Sequence, residues 1–203
     1  AEILNDTVQV LRRFIVLPAY GTESIPHGFI VLALWVAHTY TCMMVETTPY
    51  LSIWSATMRA GKTTVLELLN ELARRGWLFS DVTLAALTRK IDRDAPTLLY
   101  DEGDAANKEL QAELGGIFNA GYKASGQRTV ASGPPSNITT VDLNVYCPKA
   151  FAGIGSTTLR ETLRDRAIPI ELRRKKPDER VARNRARTRR QACAPIKAQF
   201  EGW

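Results

Sequence analysis

The 203-residue sequence has few of the residues that build disulfide frameworks and metal sites. Its three cysteines, Cys42, Cys147 and Cys193, are odd in number and widely spaced. This pattern excludes a disulfide framework and a zinc site made of cysteines alone. Only two histidines are present, so a mixed Cys/His zinc site is also disfavoured. The sparse cysteines are typical of a reducing compartment, and we expect a cytoplasmic location.

The sequence also lacks a basic leader and a long hydrophobic run. The longest apolar segment, residues 28–44, contains His38, Thr39 and Thr41. It is short for a membrane span, so we predict a buried helix and no membrane contact. The chain does not begin with Met, and we expect it to be part of a longer polypeptide.

Negative charge is scarce towards the end of the chain. The net charge is +6, and residues 160–203 contain 14 Lys and Arg against 6 Asp and Glu. The first 159 residues contain 13 and 15, respectively. A basic tail of this kind indicates either contact with a polyanion or a solvated helix.

Short apolar runs alternate with helical patterns along the chain. We predict five strands, at residues 50–55, 77–79, 97–101, 149–154 and 167–172. Helical patterns cover residues 4–17, 28–45, 63–75, 84–91 and 105–120, and the chain from 177 onward, interrupted at Pro195. This order predicts an α/β fold with a mainly parallel five-stranded sheet covered by helices on both faces.

Two features complete the predicted organisation. Residues 129–131 and 138–141 flank Gly133-Pro134-Pro135, which predicts a hairpin with a rigid turn. We divide the chain into a helical segment, an α/β core and a basic helical tail, at residues 1–47, 48–176 and 177–203.

A turn with a Gly-Lys-Thr core follows the first predicted strand and precedes a helix. It reads Ser55-Ala56-Thr57-Met58-Arg59-Ala60-Gly61-Lys62-Thr63-Thr64. Its Gly-Lys-Thr core, in this context, predicts a P-loop, whose backbone N–H groups and helix N-terminus hold phosphates. Lys62 is expected to reach the β- and γ-phosphates, and the Thr63 hydroxyl to bind Mg²⁺. The first consensus glycine is replaced by Ala56, which weakens the match.

We expect the residues of this turn and of the helix start to contact ATP through backbone or side-chain atoms. They are Thr57, Met58, Arg59, Ala60, Gly61, Lys62, Thr63 and Thr64.

The third predicted strand ends in two acids, Asp101 and Glu102. Asp101 is expected to bind Mg²⁺, directly or through water, and Glu102 to deprotonate the attacking water as general base. Solvated carboxylates at a strand end are the alternative. Because this pair follows the Gly-Lys-Thr turn by about 40 residues, we favour hydrolysis of ATP bound with Mg²⁺.

The strand spacing resembles the core of ring-forming P-loop ATPases of the RecA and AAA+ kind. In that family a polar residue after the fourth strand contacts the γ-phosphate or the water. Here the resemblance assigns this role to Ser156 or Thr157, which otherwise cap the next helix. It also assigns arginine fingers to Arg166, first, and Arg164, second, reaching the nucleotide of the next subunit. A local ion pair is the alternative for both.

The predicted hairpin gives two candidate nucleic-acid contacts, Lys123 and Arg128. Nucleic-acid motors of this broad class often place a hairpin here, facing a central pore. Such contacts to phosphate are independent of sequence and sensitive to salt. The alternative is an ordinary surface hairpin.

Further motifs resemble an uncharacterised P-loop ATPase domain of phage, plasmid and bacterial primase- and helicase-like proteins. The matching stretches begin at Thr48, Gly61, Leu98, Phe118, Pro148 and Leu163, and they cover most of the chain. The resemblance implies ATP binding and a relation to replicative helicases.

From these patterns we predict an oligomeric ATPase that acts as a motor on DNA, single-stranded or duplex, in replication of a phage or mobile element. A ring is expected, and a hexamer is one option. The alternatives are a switch or loader acting on a protein partner, a non-hydrolysing nucleotide-binding module, and a nuclease- or defence-associated ATPase.

Overall fold

A five-stranded parallel sheet lies at the centre of the computed structural model, which describes residues 1–19, 24–101, 108–134, 137–154 and 161–203. Its strands are β1 (Tyr50–Ser55), β2 (Gly76–Phe79), β3 (Thr97–Asp101), β6 (Lys149–Ile154) and β7 (Ala167–Leu172). They lie in the order β2-β3-β6-β1-β7, and all neighbours pair in parallel. The predicted α/β class and parallel sheet are therefore confirmed, and the strand bounds match the prediction within one residue.

The sheet is apolar on both faces, which is why its strands are short continuous apolar runs rather than alternating ones. Neighbouring residues of β1 enter different cores, with Tyr50 on one face and Leu51 on the other. In β3, Leu98 and Leu99 divide in the same way. Burial on both faces requires helices on both, as the sequence predicts.

The first face of the sheet is covered by α1 (Glu2–Phe14), α2 (His27–Thr41), α3 (Lys62–Leu72) and α7 (Ala186–Glu201). Side chains of all four helices share one core with Leu51, Ile53 and Leu99 of the sheet. Thus the N-terminal helices and the C-terminal helix pack on the same face as α3.

The second face carries α4 (Leu84–Asp94), α5 (Lys108–Ala120) and the short α6 (Glu161–Arg164). Beside it lies a separate antiparallel pair, β4 (Gln127–Ser132) and β5 (Thr139–Asn144). This is the predicted hairpin. Its turn contains Gly133 at φ 108°, where an added Cβ would lie 2.4 Å from the Asn137 carbonyl oxygen. The turn therefore requires glycine.

Lys149, at the start of β6, is completely buried. Its Nζ donates hydrogen bonds to the carbonyl oxygens of Gly121, Val145 and Cys147 at 3.2, 3.1 and 2.9 Å. It also lies 5.0 Å from the centre of the Tyr50 ring. Burial lowers the pKa of this lysine, although the Cys147 thiol acts in the opposite direction. Lys149 thus joins the end of α5, the end of the hairpin and the sheet.

The C-terminal region departs from the prediction of a helix beginning at 177. Residues 177–185 form no helix, and α7 begins only at Ala186. The Ala182 N–H donates to the Arg13 carbonyl oxygen at 2.8 Å, so the backbone is bonded to the end of α1. The bond from the Arg185 N–H to the Arg183 carbonyl oxygen at 2.9 Å belongs to a turn and not to a helix. Pro195 was expected to interrupt the helix, yet α7 continues through it. The proline lies on the exposed side of α7, where the carbonyl that it leaves unpaired can reach water.

Helix α2 and the 3₁₀ turn after it, His27–Met44, are long and apolar enough to cross a membrane by length and composition alone. Leu32, Trp35 and Val36 of α2 are nevertheless buried in the protein core. The Trp35 indole N–H donates to the Pro49 carbonyl oxygen at 2.9 Å. Ile30 and Leu34 of the same helix are exposed, so α2 is buried on one side only, whereas the sequence predicted a buried helix.

Candidate functional site

The site lies at the carboxyl edge of the sheet, where β1 ends at Ser55 and β3 ends at Asp101. Strand β6 lies between them in the sheet. The connection that leaves β1 runs to β2 at one side of the sheet, whereas the connection that leaves β6 runs to β7 at the other. Such a switch of direction opens a crevice beyond the strand ends, and ligands of open α/β sheets bind there.

Residues 56–61, here called the β1–α3 loop, join β1 to the start of α3. Gly61 adopts φ 95° and immediately precedes the helix. Arg59 adopts φ 60°, which is uncommon for a residue with a side chain and is often found at functional sites. Ala56 is not among the residues with positive φ, so alanine meets no backbone penalty there. The substitution of the first consensus glycine therefore does not distort this loop.

The side chains of the loop differ in exposure. Thr57, Met58 and Arg59 are exposed, whereas Ala60 is buried against the core of the first face. Ala60 thereby anchors the loop while its outer residues face solvent.

Lys62, the first residue of α3, points back towards the end of β1. Its Nζ donates to the Ser55 hydroxyl oxygen at 2.7 Å, and that hydroxyl donates to the Thr57 carbonyl oxygen at 2.7 Å. Partial burial lowers the pKa of Lys62, and the charge of Asp101 acts in the opposite direction. The ammonium group is therefore held at the mouth of the loop rather than directed into solvent.

Thr63 and Asp101, 38 residues apart in sequence, meet at the edge of the sheet. The Thr63 hydroxyl donates to an Asp101 carboxylate oxygen at 2.8 Å. A hydroxyl and a carboxylate oxygen at this separation are suited to sharing a hard cation such as Mg²⁺. Among the residues that the structure describes, no group of three or more His, Cys, Asp and Glu forms a metal site. Mg²⁺ with a nucleotide needs only one or two protein ligands besides phosphate and water.

A hydrogen-bond network connects α3 to the C-terminal region. The Asn184 amide donates to the Thr64 hydroxyl oxygen at 3.2 Å and also to a Glu67 carboxylate oxygen. Arg189 fixes this amide by donating to its carbonyl oxygen at 2.7 Å and to Glu67 at 3.2 Å. The Arg189 Nε lies 3.6 Å from a Glu71 carboxylate oxygen.

The network thereby reaches Thr64, the third residue of α3. Sequence reasoning missed Asn184 and Arg189, which lie about 120 residues after the loop. The only signal for them was the excess of arginine in the tail.

Three predicted site residues lie outside the described residues. They are Glu102, the expected general base, and Ser156 and Thr157, the expected γ-phosphate contacts. Their predicted roles stay predictions.

The structure places the two predicted finger arginines away from Lys62. Arg166 lies at the amino edge of the sheet, where its carbonyl oxygen accepts from the Tyr50 N–H at 2.9 Å. Its guanidinium donates to the backbone and side-chain oxygens of Asn119 at 2.9 and 3.0 Å and lies 5.4 Å from the Tyr122 ring centre. Arg164 is exposed at the end of α6. Within one chain, then, neither arginine joins the loop site.

The predicted nucleic-acid residues flank the hairpin. Lys123 is exposed in the turn before β4, and its backbone bridges Thr47. Arg128 is half-buried on β4 opposite Leu143. Arg128 and Arg89 of α4 both line a groove of about 400 Å³ between the helix and the hairpin. The structure thus puts positive charge on the hairpin but separates Lys123 from this groove.

The arrangement at the carboxyl edge has the elements needed to hold a phosphate chain. It combines a helix N-terminus, a lysine ammonium and a paired hydroxyl and carboxylate. No protein-family model matches the chain, and no curated protein does so either. Among solved structures, the C-terminal region of NrS-1 without ligand matches all of this chain at 15% identity, with a TM-score of 0.43. The chain spans 43% of that structure's length, and at this level of similarity the function must be inferred from the site itself.

Proposed function

We propose that this protein binds ATP with Mg²⁺ at the β1–α3 loop and hydrolyses it. The observation that carries the proposal is the 2.8 Å hydrogen bond between Thr63 and Asp101. Lys62 immediately precedes Thr63 in the chain. Three residue types that P-loop enzymes need are thereby supplied by two separate elements at one edge of a parallel sheet.

Each residue has a specific task in this proposal. Backbone N–H groups of residues 59–63 surround the β-phosphate, and Lys62 exchanges its bond with Ser55 for the β- and γ-phosphate oxygens. Thr63 and Asp101 would hold Mg²⁺, either directly or through water, and the cation would supply positive charge against the phosphates. Glu102, next in sequence to Asp101, is the proposed general base for water.

We further propose that ATP hydrolysis drives movement on DNA by an oligomeric ring in the cytoplasm. Support comes from the net charge of +6 and from the arginines that flank the hairpin groove. Arg166, or else Arg164, would complete the site of a neighbouring subunit. A nucleotide-driven switch acting on a protein partner is the second candidate, because the Asn184 network ties the loop helix to a distant segment.

Steady-state ATP hydrolysis, with and without single-stranded DNA, tests this proposal across a series of protein concentrations. The Lys62→Ala and Glu102→Gln variants are the controls. We expect turnover that rises with DNA and with protein concentration and is lost in both variants. Turnover that does not change when DNA is added would favour the switch. ATP binding without turnover in any condition would indicate a nucleotide-binding module.

A further inference from the structure

The segment that leads into α7 presents two different faces. Residues 180–185 form no helix, and Arg185 has an extended backbone with φ −99° and ψ 136°. The Arg185 N–H donates to the Arg183 carbonyl oxygen at 2.9 Å, which closes a tight turn around Asn184. Asn184 faces inward to Thr64 and Glu67, whereas Arg183 and Arg185 on either side of it are exposed. Together with Arg180 before them and Arg187 in the first turn of α7, they make a row of exposed arginines along the chain.

Four arginines form this row, here called the arginine row: Arg180, Arg183, Arg185 and Arg187. All four are exposed. Within the described residues, no carboxylate forms a salt bridge with any of them. The nearby arginines differ in this respect, because Arg173 is paired with Glu179 and Arg189 with Glu67.

Contacts with α1 and α3 hold the backbone of the arginine row in place. The Ala182 N–H bonds to the end of α1, and Asn184 and Arg189 bond to α3. The Glu179 carboxylate accepts from Arg173 and from the Lys176 N–H, and these bonds lower its pKa to about 2. Arg12 and Arg13 are exposed on the last turn of α1, where Ala182 is bound, and add further positive charge. A backbone fixed in this way loses little conformational freedom when a ligand binds.

The chemistry of the row suits a nucleic-acid backbone. Guanidinium groups bind phosphate oxygens in a bidentate manner. Among the described residues, no large exposed hydrophobic side chain lies in residues 177–190, although helices that bind a membrane surface bury an apolar face.

We propose that the arginine row is a sequence-independent contact surface for the nucleic-acid phosphate backbone. It is separate from the hairpin residues Lys123 and Arg128. The proposal rests on the DNA-associated part of the proposed function but not on ATP binding. Nucleic acid would lie along residues 180–187, against the exposed side chains of the four arginines.

Fluorescence anisotropy with a labelled 30-nucleotide single strand, between 50 and 200 mM salt and without nucleotide, tests this surface. The test variant is Arg183→Gln/Arg185→Gln/Arg187→Gln, and its matched control changes the same three residues to Lys. For the glutamine variant we expect affinity to fall at least about tenfold. We expect its log–log salt slope to flatten by about 2, since each lost phosphate contact on a single strand removes about 0.7. The lysine variant keeps the charge and should keep the slope.

Thermal unfolding of both variants should match the unaltered protein, because the three side chains are exposed and unbridged among the described residues. The single variants Arg183→Gln and Arg185→Gln provide the same test with smaller changes, each flattening the slope by about 0.7. Equal affinity and slope in glutamine and unaltered proteins would overturn the proposal. The proposal would also be overturned if the glutamine variant lost binding to phosphatidylserine vesicles but bound DNA normally. The arginine row would then be a membrane contact. Lys62→Ala separates the two proposals, since it should weaken ATP binding at least about tenfold and leave this DNA binding intact.

Discussion

At the scale of single residues, the account depends on a hydroxyl and a carboxylate that meet only in the fold. The sequence alone indicated both Thr63 and Asp101, because each occupies a fixed place next to an apolar strand. Their 2.8 Å contact could not be predicted from spacing, since it depends on β3 and β1 being placed on either side of β6. Asn184 could not be predicted at all, because nothing in its local sequence distinguishes it from a solvated asparagine.

Replacing Thr63 with alanine should weaken ATP binding in the presence of Mg²⁺ but not in excess EDTA. The hydroxyl is needed only as a ligand of the cation, so its removal should reduce the gain in affinity that Mg²⁺ provides by about tenfold, or roughly 1.4 kcal/mol. Binding of a fluorescent ATP analogue measures this. The Thr63→Ser variant retains the hydroxyl and is the control. An equal loss with and without Mg²⁺ in Thr63→Ala would contradict the assigned role.

Lys149 provides a test of stability that is independent of nucleotide. Lys149→Met keeps the approximate volume but leaves three buried carbonyl oxygens without a donor. We expect the free energy of unfolding to fall by about 3–5 kcal/mol, as when one partner of a buried charged network is removed. Urea denaturation measures this change. The exposed Lys123→Met should shift the free energy by less than about 0.5 kcal/mol, and a similarly small shift for Lys149→Met would contradict its structural role.

At the scale of elements, the sequence predicts the buried strands more accurately than the more exposed C-terminal region. The five sheet strands were predicted almost to the residue because each is a short apolar run bounded by loop residues. The C-terminal region was predicted less well, since residues 177–185 have a composition that suits a helix. Their backbone instead bonds to α1, and the side chains of Glu179 and Asn184 bond to Arg173 and to α3. Tertiary contacts of this kind override local propensity and leave no mark on periodicity.

Asn184 connects the C-terminal region to the proposed nucleotide site. Asn184→Ala removes the donor to Thr64, so we expect ATP affinity to fall by about 2–10-fold, the effect of one hydrogen bond worth roughly 0.5–1.5 kcal/mol. Isothermal titration with Mg²⁺ and ATP measures it.

Combining Asn184→Ala with Thr64→Val should cost little more than Thr64→Val alone, because both remove the same interaction. The exposed Asn137→Ala, in the hairpin turn, is the matched control and should bind ATP normally. Fully additive losses in the double variant would show that Asn184 acts by another route.

At the scale of the whole molecule, the position of Arg166 decides whether one chain suffices. The carboxyl edge holds Lys62, Thr63 and Asp101, whereas Arg166 lies at the opposite edge, bonded to Asn119. An arginine there can assist hydrolysis only in an adjacent subunit. The predicted division of the chain at residues 47 and 176 stays a prediction, and α1, α2 and α7 share a single core with the sheet.

Arg166→Ala should therefore leave ATP affinity unchanged and lower turnover by about 10³-fold or more. Turnover per subunit of the unaltered protein should rise with protein concentration as rings assemble. Mixing Arg166→Ala with Lys62→Ala subunits should restore part of the activity, because some interfaces then pair an intact Lys62 with an intact Arg166. If the mixture stays inactive while both variants remain folded and assembled, Arg166 does not act between subunits.

The central claim is that the β1–α3 loop binds a nucleoside triphosphate through Lys62. Isothermal titration of the unaltered protein with ATP and Mg²⁺, beside Lys62→Ala, tests it most directly. The account predicts one site per chain and a loss of at least about tenfold in affinity in the variant, since a hydrogen bond to a charged group contributes roughly 1.5–3 kcal/mol. Absence of binding by the unaltered protein, or equal affinity in both proteins, would contradict it.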